Sequence, residues 1–127
     1  MTLTAYGPTY INGVEGGFNR ELATADDVRQ LVDLLAQDGV FTATIEAEHG
    51  VVDAHVQGGY GYLLYNGEEM LSAFIDGDPA SPQITASETG FPAGSGVSIK
   101  QFTDALLDLL QTGRLPQTVE WIGTQLS

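Results

Sequence analysis

The chain has 127 residues, with 17 acidic side chains, 4 basic ones, 2 histidines and no cysteine, for a formal net charge of −13. Four basic residues argue against direct binding to a phosphate backbone. The absence of cysteine removes disulfides, thiol nucleophiles and cysteine-ligated zinc. No apolar run approaches the roughly 20 residues of a membrane helix, and the opening MTLTAYGPTY lacks the basic start of a secretory signal. These features lead us to expect one cytoplasmic domain over residues 1–127.

Tyr6 to Asn12 reads as an opening strand. The first helix is predicted from Ala25 to Asp38. Thr24 is its N-cap, with Asp27 three residues on as a capping-box partner. Val28, Leu31, Val32 and Leu35 form one apolar stripe, and Gly39 suits a left-handed C-terminal position.

Two alternating runs follow, Phe41 to Glu48 and Val51 to Gln57, joined by His49-Gly50 as a two-residue turn. That register sets Ala47 opposite Val52, Ile45 opposite Ala54, Ala43 opposite Val56, and Glu46 opposite Asp53. Asn66-Gly67 predicts a second hairpin between Tyr60–Tyr65 and Glu68–Ile75. Its first strand is apolar on both faces, which fits either a covered central strand or tyrosines exposed for binding.

Asp76 to Pro82 is rich in turn residues. Gln83 to Ser87 is a candidate strand, and Glu88 to Gly96 a loop. The second helix is predicted from Ile99 to Thr112. Ser98 and Gln101 form a capping box, Val97 and Phe102 a hydrophobic staple, and Gly113 with Pro116 the stop. Thr118 to Ile122 reads as a final strand. The order predicts an α+β fold, with a single-layer antiparallel sheet of about five to six strands and two helices on one face.

Chemistry in the sequence is sparse. Asp53 and His55 share a strand face, and with Glu46 they could make a carboxylate and base pair, but no activated nucleophile stands beside them. Asp76-Gly77-Asp78 lacks the remaining ligands of a calcium loop. Gly58, Gly59 and Gly61 lead into no helix and no lysine, so no phosphate cradle is expected. No metal and no cofactor is therefore expected. The excess of acid fits either a solvated surface or a face made for a basic partner.

The last quarter carries the most specific pattern. An amphipathic helix ends in Leu110-Gln111-Thr112-Gly113-Arg114-Leu115-Pro116, followed by Val119-Glu120-Trp121. With Leu3-Thr4-Ala5-Tyr6 and Gly61-x-Leu63-x-Tyr65, it resembles a family of small bacterial immunity proteins from polymorphic toxin systems, the first-numbered immunity family, often encoded beside deaminase-type toxins. Thr118 and Met70-Leu71-Ser72 depart from the family pattern as cysteine and aromatics are expected there.

The resemblance implies a non-enzymatic inhibitor of a nuclease or deaminase toxin, whose basic surface accepts a polyanion. On that expectation the partner-binding residues are Glu46, Glu48, Asp53, Glu68, Glu69, Asp76 and Asp78, with Tyr60 and Tyr62 as candidate anchors and the hairpin ends and the Asp76 loop as candidates for one edge. No nucleic acid, membrane or small-molecule substrate is expected as a partner. Two alternatives stand beside it. One is a small enzyme using Glu46, Asp53 and His55. The other is an acidic chaperone or adaptor for a secreted effector.

Overall fold

The computed structural model describes residues 2–85 and 90–125. Its backbone is organised by one antiparallel sheet. The strands are β1 (Leu3–Ile11), β2 (Val14–Leu22), β3 (Ala43–Glu46), β4 (Gly50–Gln57), β5 (Tyr60–Gly67), β6 (Met70–Ile75), β7 (Val97–Ser98) and β8 (Trp121–Gln125). They run β2-β1-β3-β4-β5-β6-β8, with the short β7 pairing on β5. Helices α1 (Ala25–Leu35) and α2 (Ile99–Thr112) complete an α+β fold. The strand count exceeds the expected five to six because the chain opens with a hairpin rather than one strand and because the two-residue β7 pairs on β5.

That hairpin turns at Asn12-Gly13, where both residues have positive φ (52° and 76°) and Ile11 pairs with Val14. This is the two-residue turn whose twist matches paired strands. β2 escapes a pattern search because Gly16 and Gly17 interrupt its alternation and most of its side chains are exposed.

Alternation along the strands separates two faces. Leu3, Ala5, Ala43, Ile45, Val52, Ala54, Leu63, Tyr65, Ala73 and Ile75 form the buried face, covered by Val28, Leu31, Val32 and Leu35 of α1 and Phe102, Ala105, Leu106 and Leu109 of α2. Both helices lie on this side.

α1 starts as expected. The Thr24 hydroxyl accepts from the Asp27 amide (3.2 Å), and the Asp27 carboxylate accepts from the Ala23 and Thr24 amides (2.8 and 3.0 Å). Those two amides hold the Asp27 carboxyl below its ordinary pKa. The helix stops at Leu35 instead of reaching Asp38. Its last turn tightens, with the Gln37 amide bonding Leu34 rather than residue 33. Gly39 thus lies beyond the cap, in the connection to β3. α2 spans Ile99–Thr112 as predicted and ends at Gly113 in the left-handed conformation. The Gln101 side chain reaches the Ser98 hydroxyl, however, and not its amide, so the expected capping box is one-sided.

Both expected hairpin registers are corrected. Ala43 pairs with Ala54 and Ile45 with Val52, a slip of two residues. The slip is even, so every side chain keeps its face. It arises because the turn spans Ala47–Gly50, closed by the Ala47 amide bonding Gly50 O at 2.9 Å. Glu46 accordingly faces Val51, and Asp53 faces Thr44.

At the second hairpin, Asn66-Gly67 is not the turn. β5 continues through Gly67, which pairs with Gly50, and Glu68-Glu69 make the connection. The Asn66 side chain accepts from the Ser72 amide (2.8 Å), holding Ser72 at φ 52°. The expected strand at Gln83 to Ser87 reduces to a bridge between Ile84 and Phe91; Ala86 and Ser87, like the Glu88 and Thr89 assigned to the following loop, lie outside the described residues. The final strand begins at Trp121 rather than Thr118. The Trp121 indole donates to Pro116 O (2.8 Å) and packs against Tyr65.

Candidate interaction surface

The sheet face away from the helices divides into two halves. The half on β2, β1, β3 and β4 is open. Strand pairing places Glu21, Thr4, Glu46 and Val51 in one row, and Asn19, Tyr6, Thr44 and Asp53 in the next. Tyr6 stands near their centre, 36% exposed, and its hydroxyl donates to Glu46 Oε2 (2.8 Å). That bond, followed by burial and the Glu46 and Asp53 charges, raises the Tyr6 pKa, so the hydroxyl stays protonated. The Thr44 hydroxyl lies 3.4 Å from Asp53 Oδ1.

Glu15, paired with Tyr10, continues this face toward the hairpin tip. Among the described residues no Lys or Arg lies on it. Arg20 pairs with Ala5 on the helix side, Arg29 and Lys100 sit on the helices bonded to Asp26 and Asp104, and Arg114 follows α2. Glu15, Glu21, Glu46 and Asp53 give this half a predominantly negative field.

The other half is roofed by residues on either side of the Ile84–Phe91 bridge. Ile84 and Phe91 close over Tyr62, with Tyr60, Leu64 and Phe74 around them. The Tyr62 hydroxyl donates to Pro82 O (2.8 Å), and burial raises its pKa. Tyr62 is 0% exposed, so it holds the roof and is not a surface anchor. Tyr60 is half-buried at the rim of the same cluster.

His55 lies beneath this roof, stacked on Phe91. Its Nε2 lies 2.9 Å from the Gln57 side-chain oxygen and its Nδ1 3.1 Å from the Thr42 hydroxyl. Both ring nitrogens thus face side-chain partners within the fold. The candidate trio is thus split, with Glu46 and Asp53 on an open surface and His55 bonded inside.

The remaining acids occupy the two ends of β6. At its start, Glu48 and Glu68 are exposed on either side of His49, whose Nδ1 meets Glu68. Glu69 is turned inward. Its Oε1 accepts from the Tyr65 hydroxyl (2.7 Å) and its Oε2 from the Leu115 amide (2.8 Å). Burial alone would raise the Glu69 pKa; the Tyr65 hydroxyl, the Leu115 amide and nearby Arg114 outweigh it and lower the value. Burial and the Glu69 carboxylate push the Tyr65 hydroxyl far above its usual pKa. Glu69 therefore ties the segment after α2 to the β5–β6 turn.

Asp76 and Asp78 lie past the other end of the six-residue β6, about 20 Å away. With Glu120 they rim a separate cleft of about 370 Å³. The sequence-selected residues thus lie in four places, not along one edge. Tyr6 and Glu21 belong to the open face but were missed, because only the β1–β3 and β1–β2 pairings bring them beside Glu46.

Among the described residues no three His, Asp or Glu side chains converge as metal ligands, and no helix is long and apolar enough to cross a membrane. No curated protein and no solved structure matches the chain. A family model does, that of Immunity protein Imm1, over residues 16–122, from within β2 into β8.

Proposed function

Because the chain belongs to the Imm1 family of immunity proteins, we propose that it inhibits a toxin domain acting on nucleic acid, a deaminase or nuclease, by seating its open acidic face in the toxin's cationic groove. The observation that carries this reading is the gathering of Glu15, Glu21, Glu46 and Asp53 on a sheet face free of basic side chains. Glu21 and Glu46 flank Thr4 two strand spacings apart, roughly 10 Å, so the acids present negative charge across the breadth of four strands. Tyr6 supplies an aromatic surface with a polar tip at the centre, the kind of side chain enriched in interface cores.

Electrostatic complementarity of this kind speeds capture, to about 10⁸–10⁹ M⁻¹s⁻¹ at low salt. Rapid capture suits an antidote acting in the cytoplasm of the cell that makes the toxin. Glu48 and Glu68 extend the field as rim contacts. Asp76 and Asp78, beyond the far end of β6, act only through long-range steering. The net charge of −13 repels nucleic acid itself, which keeps the protein on the toxin.

The test is co-purification with the product of the neighbouring reading frame and rescue of cells that express it. Association is then measured for a Glu46→Lys, Asp53→Lys double variant. Its on-rate should fall at least tenfold at low salt and approach that of the unaltered protein near 1 M salt, where charges are screened within about 3 Å. An unchanged on-rate at low salt would remove this face from the interface. Binding to unfolded or leader segments, and not to the folded catalytic domain, would favour an acidic chaperone instead.

A further inference from the structure

The two edges of the sheet differ. β8 is five residues long, and its pairing with β6 is broken by a register shift between Leu71 and Phe74. β2 is nine residues long and pairs with β1 without interruption from Leu22 to Val14. It contains no lysine and no proline, and seven of its nine residues are exposed. Native edges are normally blunted by shortness, bulges, proline or charged side chains, lysine above all. β2 is long and unbulged and has neither proline nor lysine; its charges are Glu15 and Glu21 on the open face and Arg20 on the other.

Its free hydrogen-bonding groups can be assigned. Ile11 and Val14 close a two-residue turn and so exchange backbone bonds. Alternation then makes Thr9–Gly16, Gly7–Phe18, Ala5–Arg20 and Leu3–Leu22 the bonded pairs. The other side of β1 agrees, since the Tyr10 amide bonds Gly39 O (2.7 Å) and Pro8 O accepts from the Phe41 amide (3.3 Å). The outward N–H and C=O groups of β2 therefore belong to Glu15, Gly17, Asn19 and Glu21. All four residues project their side-chain positions onto the open acidic face.

Gly16-Gly17 sits in the middle of this edge. Glycine inside a strand weakens it, and without a bulge it marks a place where another backbone comes close. Here there is no bulge, and no side chain at 17 to fend off a neighbour.

We propose that β2 takes an added strand from the toxin, so that the partner's chain extends the sheet as a ninth strand beside Glu15, Gly17, Asn19 and Glu21. Main-chain bonds then supply affinity, as in other cases of strand addition. The added strand carries Lys or Arg at alternate positions, facing Glu15 and Glu21, because cross-strand opposite charges are the favourable pairing. A second copy of this chain fits less well, since it would bring another −13 to the same edge. This inference rests on the proposed inhibition of a toxin and adds the mode of docking.

The experiment is hydrogen–deuterium exchange of the full chain, alone and with the toxin domain encoded in the neighbouring frame. The amides of Glu15, Gly17, Asn19 and Glu21 should exchange rapidly in the free protein and slow at least about tenfold in the complex. Asn19→Pro, which removes an outward amide without touching a β1–β2 bond, should weaken binding at least about tenfold while its circular dichroism stays native. A second variant, Glu15→Lys with Glu21→Lys, should weaken binding similarly and retains the backbone.

If the toxin binds but these amides exchange as before, strand addition is wrong and the inhibitory role stands. Failure of the unaltered protein to bind the toxin ends both. Protection that grows with the concentration of the isolated protein assigns the edge to a second copy and equally overturns the proposal.

Discussion

Gly61 is where α2 meets the sheet most closely, and it offers a quantitative check on the packing. A Cβ there would lie 2.3 Å from Phe102 Cγ and 2.4 Å from Cδ1. Favourable carbon contacts begin near 3.5 Å, so the ring would have to retreat by roughly 1 Å. Phe102 is wholly buried in the first turn of α2, beside β7, which pairs with Gly61 itself. Overpacking of this kind costs about 1–3 kcal/mol. The better strand propensity of alanine returns about 0.5–1 kcal/mol.

An overlap this deep, 2.3 Å against a wholly buried ring, sets the cost at the upper end of the overpacking range, so Gly61→Ala should lose about 2 kcal/mol net. For 127 residues the unfolding entropy near 60 °C makes each kcal/mol worth about 4 °C, so the midpoint should fall by about 8 °C. The assay is urea and thermal unfolding of four proteins, namely the unaltered chain, Gly61→Ala, Phe102→Leu and the double variant. Phe102→Leu alone should cost about 1–2 kcal/mol by loss of ring volume. In the double variant the smaller side chain makes room for the new methyl, so the combined loss should fall short of the sum by about 1 kcal/mol or more. Strict additivity, or a Gly61→Ala loss under about 0.5 kcal/mol, would refute the close contact.

Glu69→Gln should lower stability at pH 7 by about 1 kcal/mol, discounted for partial exposure. Because the folded-state pKa of Glu69 lies below its unfolded value, its contribution is present above about pH 4.5 and is lost as pH falls through the folded pKa. The difference between variant and unaltered protein should thus shrink as pH falls below about 4.5, and a constant difference across a pH titration of unfolding would count against the clamp. Tyr62→Phe should cost about 1 kcal/mol through loss of the bond to Pro82 O, with no change in toxin affinity; reduced affinity at full occupancy of the folded state would restore Tyr62 as a contact. Asn12→Ala should destabilise by about 1 kcal/mol, because alanine resists positive φ, whereas Asn12→Gly should be nearly neutral. Equal effects of the two, measured by urea unfolding, would argue against the turn.

What the sequence made legible depended on how local the signal was. α2 was readable to the residue because its N-cap, staple and left-handed stop lie within the element. The faces of β3 and β4 were readable because alternation survives an even slip, while the register was not, since turn length is decided by closure at Ala47 and Gly50. Asn-Gly occurs twice. At 12–13 it makes the tight turn; at 66–67 Gly67 is held in the ladder opposite Gly50, and the turn moves on to Glu68-Glu69.

The open face required pairings between segments some 40 residues apart, such as Tyr6 with Glu46. Glu69 looked like any other exposed acid because its partners, Tyr65 and Leu115, are brought to it by tertiary contact. Tyr62 and His55 were misplaced for the converse reason. They lie on the face away from the helices, where Phe91 packs on both and Ile84 on Tyr62.

The bare half of the sheet has an evolutionary consequence. Glu21, Tyr6, Glu46 and Asp53 point away from every residue of the helix-covered core, on strands whose inward neighbours do the packing. On the proposed interface, exchanging them would alter whom the protein greets and leave its capacity to fold almost untouched. A lineage pursued by changing toxins can thus redraw this surface one side chain at a time, while the layer beneath keeps its shape.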